Sequence, residues 1–220
     1  DNNLVTLHDP AKPGYTFDGW YADSSFTKRV SGAITLDAPH DWIFYAKWKA
    51  NLYTITFDSC LGITVPTETQ LMTYDTEDQL TLLSEMGKFK RPGYTFAGWS
   101  VDGENTVTPS DKMSTEDIVY RALWTPNSYT LKFEKNNGTA SGEMNPATFI
   151  YDSEQNLPAN TFEADGYSFV GWSTSNTGKM QYEDGAAILN LTEKANEEIT
   201  LYAVWELQSY TISYIGTELD

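Results

Sequence analysis

The sequence predicts tandem copies of a small, β-rich α+β domain with the element order β-β-short α-β-β. Two aromatic blocks that repeat in step support this prediction. The heptapeptide Gly14–Trp20 returns as Gly93–Trp99 and again as Gly166–Trp172. A second block of apolar residues ends each copy at a tryptophan: Trp48, Trp124 and Trp205. Blocks that keep step over a period of about 76 residues indicate whole small domains with insertions confined to loops.

The two blocks divide the 220 residues into four predicted segments. Residues 1–50 form a partial first repeat that lacks its N-terminal hairpin, and residues 51–126 form a complete second repeat. Residues 127–207 form a complete third repeat, and residues 208–220 supply the first strand of a fourth repeat or of a following domain. Because the linkers are only about four residues long, little freedom between the domains is expected.

Each complete repeat opens with a predicted hairpin. Tyr53–Phe57 and Tyr129–Phe133 alternate apolar and polar residues and are rich in β-branched and aromatic side chains, a pattern typical of half-buried strands. In the third repeat Asn136–Gly138 follows, and an Asn-Gly pair favours the positive φ angles of a two-residue turn. A second strand is then predicted near residues 69–74 and 147–151.

One short helical turn is predicted after this hairpin. Asp75–Asp78 offers a capping residue and acidic side chains suited to the start of a helix that runs towards Leu80. The spacing leaves no room for an amphipathic helix longer than about two turns.

The repeated heptapeptide is predicted to be the third strand, and Ile118–Trp124 the last. Strict alternation places Tyr94, Phe96 and Gly98 on one face of the third strand and Trp99 on the other. A flanking glycine leaves room for an aromatic ring to lie across the backbone.

Residues that recur in every copy are interpreted as structural rather than chemical. A domain of this size buries only about 60% of its unfolded surface, so it needs large core residues. Trp99 and Trp172 are therefore expected to be buried. The predicted structural signature comprises Gly14, Tyr15, Phe17, Gly19, Trp20, Trp48, Gly93, Tyr94, Phe96, Gly98, Trp99, Trp124, Gly166, Tyr167, Phe169, Gly171, Trp172 and Trp205.

Composition excludes several classes of function. The formal net charge of −17 argues against binding to nucleic acid or to an anionic membrane surface, both of which need clustered Lys and Arg. The single cysteine, Cys60, excludes an internal disulfide and a cysteine-rich zinc cluster, and it lies where the second repeat turns its hairpin. The sequence contains no stretch of 18 apolar residues, so no membrane-spanning helix is predicted.

The blocks Tyr-Thr-Ile-Thr-Phe, Pro-Gly-Tyr-Thr-Phe-x-Gly-Trp and Leu-Tyr-Ala-x-Trp together resemble the Listeria–Bacteroides repeat family, which includes the B-repeats of internalins. The resemblance covers nearly the whole chain, with modest departures such as Asp165 in place of the proline before the third Gly-Tyr. It implies a β-grasp-like fold and large bacterial surface proteins, in which such repeats lie between an adhesive or enzymatic head and the cell wall. The family pattern contains no catalytic residues.

No catalytic, metal or cofactor site is predicted. His8 and His40 lack partners at metal-ligand spacing and lie near no nucleophile motif. The 31 acidic residues include no pair that the sequence singles out as a glycosidase site. The loop at Asp102 lacks the alternating ligands and the terminal Glu of a calcium loop.

A few positions are candidates for a contact surface. Trp42 has no counterpart in the other repeats, so it either packs locally or marks a surface for a partner. Tyr45, Arg121 and Tyr202 occupy equivalent positions in the last strands of the three repeats. A position that accepts Arg is expected to be partly exposed.

Two functions remain open from the sequence. The first is a non-enzymatic, extracellular or cell-wall-attached spacer that presents another domain. The second is an adhesive module that binds a host protein or glycan through variable loops and unpaired aromatic residues. Because unpaired strand edges seek partners, the tail strand Ser209–Tyr214 is also expected either to add to the incomplete first repeat of another chain or to leave that repeat poorly ordered.

Overall fold

A computed structural model describes residues 4–35, 41–61, 67–76, 80, 89–110 and 115–216. Over these residues the chain forms strands and no helix. The strands are β1 Leu4–Thr6, β2 Tyr15–Tyr21, β3 Arg29–Val30, β4 Ala33–Thr35, β5 Tyr45–Ala50, β6 Leu52–Asp58, β7 Glu68–Thr73, β8 Tyr94–Ser100, β9 Ile118–Pro126, β10 Ser128–Glu134, β11 Ala147–Ile150, β12 Gln155–Asn156, β13 Tyr167–Ser173, β14 Ala187–Ile188 and β15 Glu198–Leu207.

The chain divides into two compact units. One unit contains residues 1–90 and 97–123, and the other contains residues 91–96 and 124–220. The segment Arg91–Phe96, which opens the signature of the second repeat, therefore groups with the residues of the third repeat.

A mixed four-stranded sheet forms the third repeat, in the order β11-β10-β15-β13. The two central strands, β10 and β15, run parallel, and each outer strand pairs antiparallel with its neighbour. The alternation predicted for the first strand appears directly in the structure, because Tyr129, Leu131 and Phe133 are all buried on one face of β10.

The core of the third repeat lies on this buried face. Trp172 is 0% exposed, and its ring meets the ring of Phe133 edge-on at 5.1 Å and that of Phe162 at 6.0 Å. A small two-stranded sheet of β12 and β14 adds the buried side chain of Ile188. The other buried members of this core are Tyr129, Leu131, Phe149, Leu157, Leu201 and Ala203.

The second repeat has the same sheet order, β7-β6-β9-β8, again with a parallel central pair. Ile55 and Phe57 of β6 are fully buried, and the ring of Phe57 lies 4.9 Å from that of Trp99 and 5.3 Å from that of Tyr120. Trp99 is only 5% exposed, so both signature tryptophans expected in a core are buried.

Part of the same plan is described for the first repeat. Its main sheet has the order β3-β2-β5, and β1 pairs with β4 as β12 pairs with β14 in the third repeat. The antiparallel pair β2 and β5 corresponds to β13 and β15. The described residues of this repeat provide no counterpart of the first strand β10, so β5 lies at the edge of its sheet.

The prediction of a β-rich fold is confirmed, but the predicted short helix is absent from the third repeat. There Asp152 has a φ of 56° and lies in a turn that leads into β12, so the chain never enters a helical conformation. In the second repeat Asp75 lies in a similar turn with the same φ of 56°. Glu77 and Asp78, where that helix was predicted, lie outside the described residues.

The predicted two-residue hairpin turn is also wrong in the third repeat. Strand β10 ends at Glu134 and β11 begins only at Ala147, so a wide loop joins them. Asn136 has the positive φ that its residue type favours, but its side-chain amide donates to the backbone oxygens of Asn176 and Ala203. The Asn side chain therefore anchors the loop on distant segments instead of closing a tight turn.

Strict alternation fails in the signature strand because a β-bulge interrupts it. In β13 the register shifts between Phe169 and Gly171, and in β2 it shifts between Phe17 and Gly19. The bulge brings the rings of Phe169 and Trp172 together at 5.0 Å. A bulge inserts one unpaired residue, so the Phe and the Trp lie on the same face rather than on opposite faces.

We predict that Trp172→Ala lowers the free energy of unfolding of the third repeat by about 3–5 kcal/mol, because it removes the centre of a closed aromatic core. Denaturant unfolding followed by far-ultraviolet circular dichroism measures the loss, and hydrogen exchange locates it. The control is Tyr214→Ala, which truncates a side chain that is 91% exposed and should change stability by no more than about 0.5 kcal/mol. If hydrogen-exchange protection fell equally in the cores of the second and third repeats, the two cores would not unfold independently, and the prediction would be contradicted.

Candidate functional site

The same set of contacts occurs twice where one repeat meets the next. The first junction consists of Gly14, Tyr15, Thr16, Asn51, Tyr74 and Asp75, all within one compact unit. The second junction consists of Gly93, Tyr94, Thr95, Asn127, Tyr151 and Asp152, all within the other.

An asparagine backbone forms the centre of each junction. The N–H of Asn127 donates to the carbonyl oxygen of Gly93 at 2.8 Å, and the N–H of Tyr151 donates to the carbonyl oxygen of Asn127 at 2.8 Å. Asn51 makes the same two bonds in the first junction, each at 2.9 Å. Both ends of the asparagine peptide are therefore satisfied by residues from two successive repeats.

A tyrosine ring covers the glycine in both junctions. A Cβ atom on Gly93 would lie 2.2 Å from the ring of Tyr151, and one on Gly14 would lie 2.3 Å from the ring of Tyr74. The φ angles of these glycines are +75° and +78°. Any larger residue would therefore both strain the backbone and collide with the ring.

Polar side chains close each junction. The hydroxyl of Tyr94 donates to the carboxylate of Asp152 at 2.8 Å, and the hydroxyl of Thr95 donates to the side-chain oxygen of Asn127 at 2.6 Å. In the first junction Tyr15 donates to Asp75 at 2.5 Å and Thr16 donates to Asn51 at 2.6 Å. A cation lies over each tyrosine ring as well: Arg91 over Tyr94 and Lys12 over Tyr15.

Hydrogen bonds to the charged carboxylate shift the pKa values in the second junction. The amide of Asn190 and then the hydroxyl of Tyr94 lower the pKa of Asp152 below its usual value. The bond to Asp152 in turn raises the pKa of Tyr94, because an ionised tyrosine could not donate to a carboxylate. The junction thus favours a charged Asp152 and a neutral Tyr94.

Sequence reasoning missed the residues that each following repeat contributes. The predicted signature contains Gly14, Tyr15, Gly93 and Tyr94, but not the asparagines or the Tyr-Asp pairs. One signal was available: Tyr74-Asp75 and Tyr151-Asp152 both directly follow the second strand of their repeat.

The remaining signature residues shape the interior of each repeat. Phe169 meets Trp205 edge-on at 5.6 Å, and Phe17 meets Trp48 in the same way at 5.5 Å. Gly171 has a φ of +152° and allows the backbone of Tyr182 to approach, since a Cβ there would lie 2.4 Å from that carbonyl oxygen. The glycines at the bulge therefore admit backbone or side chains from the segment that follows the strand, and Gly14 and Gly93 admit a ring.

The predicted contact residues occupy separate places. Trp42 is 40% exposed and stacks on Phe44 with ring centroids 6.2 Å apart, and Tyr45 is 36% exposed at the start of β5. Arg121 is exposed on β9, whereas Tyr202 is half-buried on β15. Trp42 and Tyr45 are thus near each other in the chain, while Arg121 and Tyr202 belong to the sheets of the other two repeats.

A cavity of about 220 Å³ lies in the first repeat beside Phe17, Trp20 and Arg29. Its other lining residues are Leu7, Asp9, Gly19, Val30, Ser31 and Gly32, so the cavity lies on the side of β2 where β3 pairs.

The acidic loops are closed by their own hydrogen bonds. Asp102 accepts bonds from the hydroxyl of Ser100 and from the backbone N–H groups of Glu104 and Asn105, each at 2.8 Å. The hydrogen bond from the side-chain amide of Asn105, followed by these three bonds, lowers the pKa of the Asp102 carboxyl group. Asp23 binds Ser25 and Thr27 in the same way in the first repeat. Both carboxylates stabilise turns.

Over the described part of the chain, no three His, Cys, Asp or Glu side chains form a group that could hold a metal ion. His8 contributes its backbone oxygen, which accepts a bond from the indole of Trp20 at 3.2 Å. His40 lies outside the described residues. A helix long and apolar enough to cross a membrane is likewise not found in the described ranges.

Sheets of one plan joined by one junction define a tandem-repeat protein built of small β-rich domains. The chain belongs to the Listeria–Bacteroides repeat family, whose repeat domain matches residues 1–47, 53–122 and 129–204. The expected family membership is confirmed.

Three relatives match the chain over different lengths. It is 30% identical over 215 residues to an Evansella cellulosilytica protein named "Putative membrane protein", across 96% of this chain and 29% of the relative. A "Putative Gly-rich membrane protein" of the same organism is 30% identical over 209 residues, with 93% and 22% covered. Internalin H of Listeria monocytogenes is 32% identical over 105 residues, with 46% and 18% covered. The chain thus spans less than a third of each relative.

We predict that Gly93→Ala destabilises the chain more than Gly166→Ala. The two glycines have nearly the same φ, +75° and +76°, so each substitution carries a conformational cost of about 1–2 kcal/mol. Only the new methyl group at residue 93 collides with a ring, since nothing lies within 4 Å of the corresponding Cβ position at Gly166. Thermal and denaturant unfolding measure the difference, and equal losses would contradict the junction geometry.

Acid should weaken the second junction. Because the folded-state pKa of Asp152 is lowered, its contribution is present above the unfolded value of about 3.9 and is lost as the pH falls through the folded-state value. Tyr94→Phe should therefore lower the unfolding free energy near neutral pH and have a smaller effect near pH 2. Thr177→Ala, a substitution in an exposed loop away from the junction, is the control. The same loss for Tyr94→Phe at both pH values would show that the contribution of the Tyr94 hydroxyl does not depend on the charge of Asp152.

Proposed function

We propose that this chain is the repeat region of a bacterial surface or secreted protein and acts as a non-enzymatic, extended, semi-rigid spacer that presents another domain. The observation that carries the proposal is the repetition of one junction with the same atoms at two places. Domains joined only by a flexible linker would not need the same contacts at each connection. Here an Asn backbone bridge, a ring over a glycine and a Tyr–Asp bond occur at both.

The contacts within each junction resist bending. Two backbone hydrogen bonds hold the asparagine, so rotation at this point would break bonds in a nearly dry environment: Asn127 is 8% exposed. The connection between β9 and β10 is a single residue, and Pro126 before it restricts the backbone further. Short connections and internal bonds together restrict backbone rotation within each junction.

The location at a surface is supported by the relatives and by the charge. Two relatives carry the names of membrane proteins and a third is an internalin. A net charge of −17 favours solubility and keeps neighbouring chains apart. We further propose that each repeat is a β-grasp derivative, in which a loop and the small sheet of β12 and β14 take the place of the helix. The mixed sheet with its parallel central pair supports this assignment.

Adhesion is a second candidate function, favoured by one exposed cluster. Trp42 and Ile43 are 40% and 65% exposed and lead into Tyr45 on β5. Stacked aromatic rings of this kind can bind sugar faces or anchor a protein. A glycan array and titration with purified host glycoproteins test this function. Saturable binding that is lost in Trp42→Ala and retained in Tyr214→Ala would favour adhesion.

Small-angle X-ray scattering tests the spacer directly. We expect the maximum dimension to grow by a constant step when one and then two further copies of residues 127–207 are inserted after Leu207. A semi-rigid rod gives this linear growth, whereas a flexible string grows roughly as the square root of the number of units. A compact particle with its repeats around a common core would overturn the proposal.

A further inference from the structure

We propose that the exposed face formed by Gly166, Tyr167, Ser168 and Gln208 is an acceptor for a further repeat of this family. Its occupant is the Tyr-Asp pair that follows the second strand of such a repeat. This acceptor face goes beyond the spacer function, because a repeat could dock there whatever the assembled protein does.

The backbone of the acceptor face already has the junction geometry. The N–H of Gln208 donates to the carbonyl oxygen of Gly166 at 2.8 Å, as Asn127 does to Gly93. Gly166 has a φ of +76°, close to the +75° of Gly93. The amide of Gln208 also donates to the hydroxyl of Ser168 at 3.1 Å, in the place of the bond between Thr95 and Asn127.

This face lacks the ring and the carboxylate that the following repeat supplies at the other two junctions. Gly14 and Gly93 are buried under tyrosine rings, whereas Gly166 is exposed and has nothing within 4 Å of its Cβ position. Tyr167 is 36% exposed. Within the described residues its hydroxyl has no hydrogen-bond partner, whereas the equivalent hydroxyls of Tyr15 and Tyr94 each bind an aspartate. One aromatic ring and one carboxylate would complete the set.

The sequence that follows the face identifies the occupant. Tyr210, Ile212 and Tyr214 repeat the apolar positions of β10, but they are 77%, 74% and 91% exposed. In the third repeat the same pattern begins two residues after Asn127, and β10 pairs with β11, which delivers Tyr151 to Gly93. A repeat that begins with Tyr210 would deliver its own Tyr-Asp pair to Gly166 by the same path.

The test compares the chain with an extended chain, in which residues 209–220 are replaced by a second copy of residues 128–207. Gly166→Ala, Tyr167→Phe and the internal references Gly93→Ala and Tyr94→Phe are made in both. In the original chain we expect Tyr167→Phe to leave the melting midpoint unchanged and Gly166→Ala to shift it less than Gly93→Ala does. In the extended chain, Gly166→Ala should match Gly93→Ala, and Tyr167→Phe should match Tyr94→Phe.

Two outcomes would overturn the proposal. If Gly166→Ala and Tyr167→Phe have the same effects in both chains while hydrogen exchange shows a folded added repeat, no docking takes place. If the larger loss already occurs in the original chain and grows with protein concentration, a second copy occupies the face instead. A second extended chain, made with residues 52–126 and thus with Tyr74-Asp75, keeps the test valid should the first added repeat not fold.

Discussion

The β-bulge in the signature strand is the constraint on which the core of the third repeat depends, and the first repeat has a bulge at the same place. By adding one residue between Phe169 and Gly171, it turns the rings of Phe169 and Trp172 to the same face, where Phe133 and Phe162 complete the core. A flat strand would send one of these rings to the solvent, and a domain this small could not lose so much buried area. The glycine after the bulge tolerates a positive φ and admits a crossing segment. The third repeat therefore closes its core with no helix.

The first two residues of the same heptapeptide serve a different purpose. The glycine receives a ring and the tyrosine binds a carboxylate, both supplied by the following repeat, as in Gly93 with Tyr151 and Tyr94 with Asp152. One short strand thus fixes the interior of its own repeat at one end and the attachment of its neighbour at the other. The heptapeptide can therefore stay nearly constant across copies while the loops vary, because most of its residues have a packing or junction role.

Sequence alone predicted the strands well, since alternation and aromatic content report burial directly: Tyr129–Phe133 and Ala147–Ile150 form where they were expected. It could not predict the bulge, because a shift of register depends on the hydrogen bonds of the partner strand β15 and leaves little trace in residue type. The helix near Asp75 and the tight turn at Asn136 were expected from local propensities. The side-chain amide of Asn136 instead donates to the backbone oxygens of two distant residues. At Asp152 the chain forms a turn with a positive φ and not a helix. The sequence singled out the glycine and the tyrosine of each junction only as signature residues, because they recur within the repeated block. It did not predict the junction, because the Asn and Tyr-Asp partners lie far away in sequence.

The second junction depends on the backbone bonds of Asn127 and on the ring of Tyr151 that covers Gly93. The most direct test is amide hydrogen exchange at Asn127 and Tyr151, whose N–H groups make the two backbone bonds of this junction. We predict that both amides are protected and that Gly93→Ala lowers this protection, because the added methyl group displaces the ring of Tyr151. Exchange of both amides as fast as in an exposed loop, unchanged by Gly93→Ala, would contradict a closed junction.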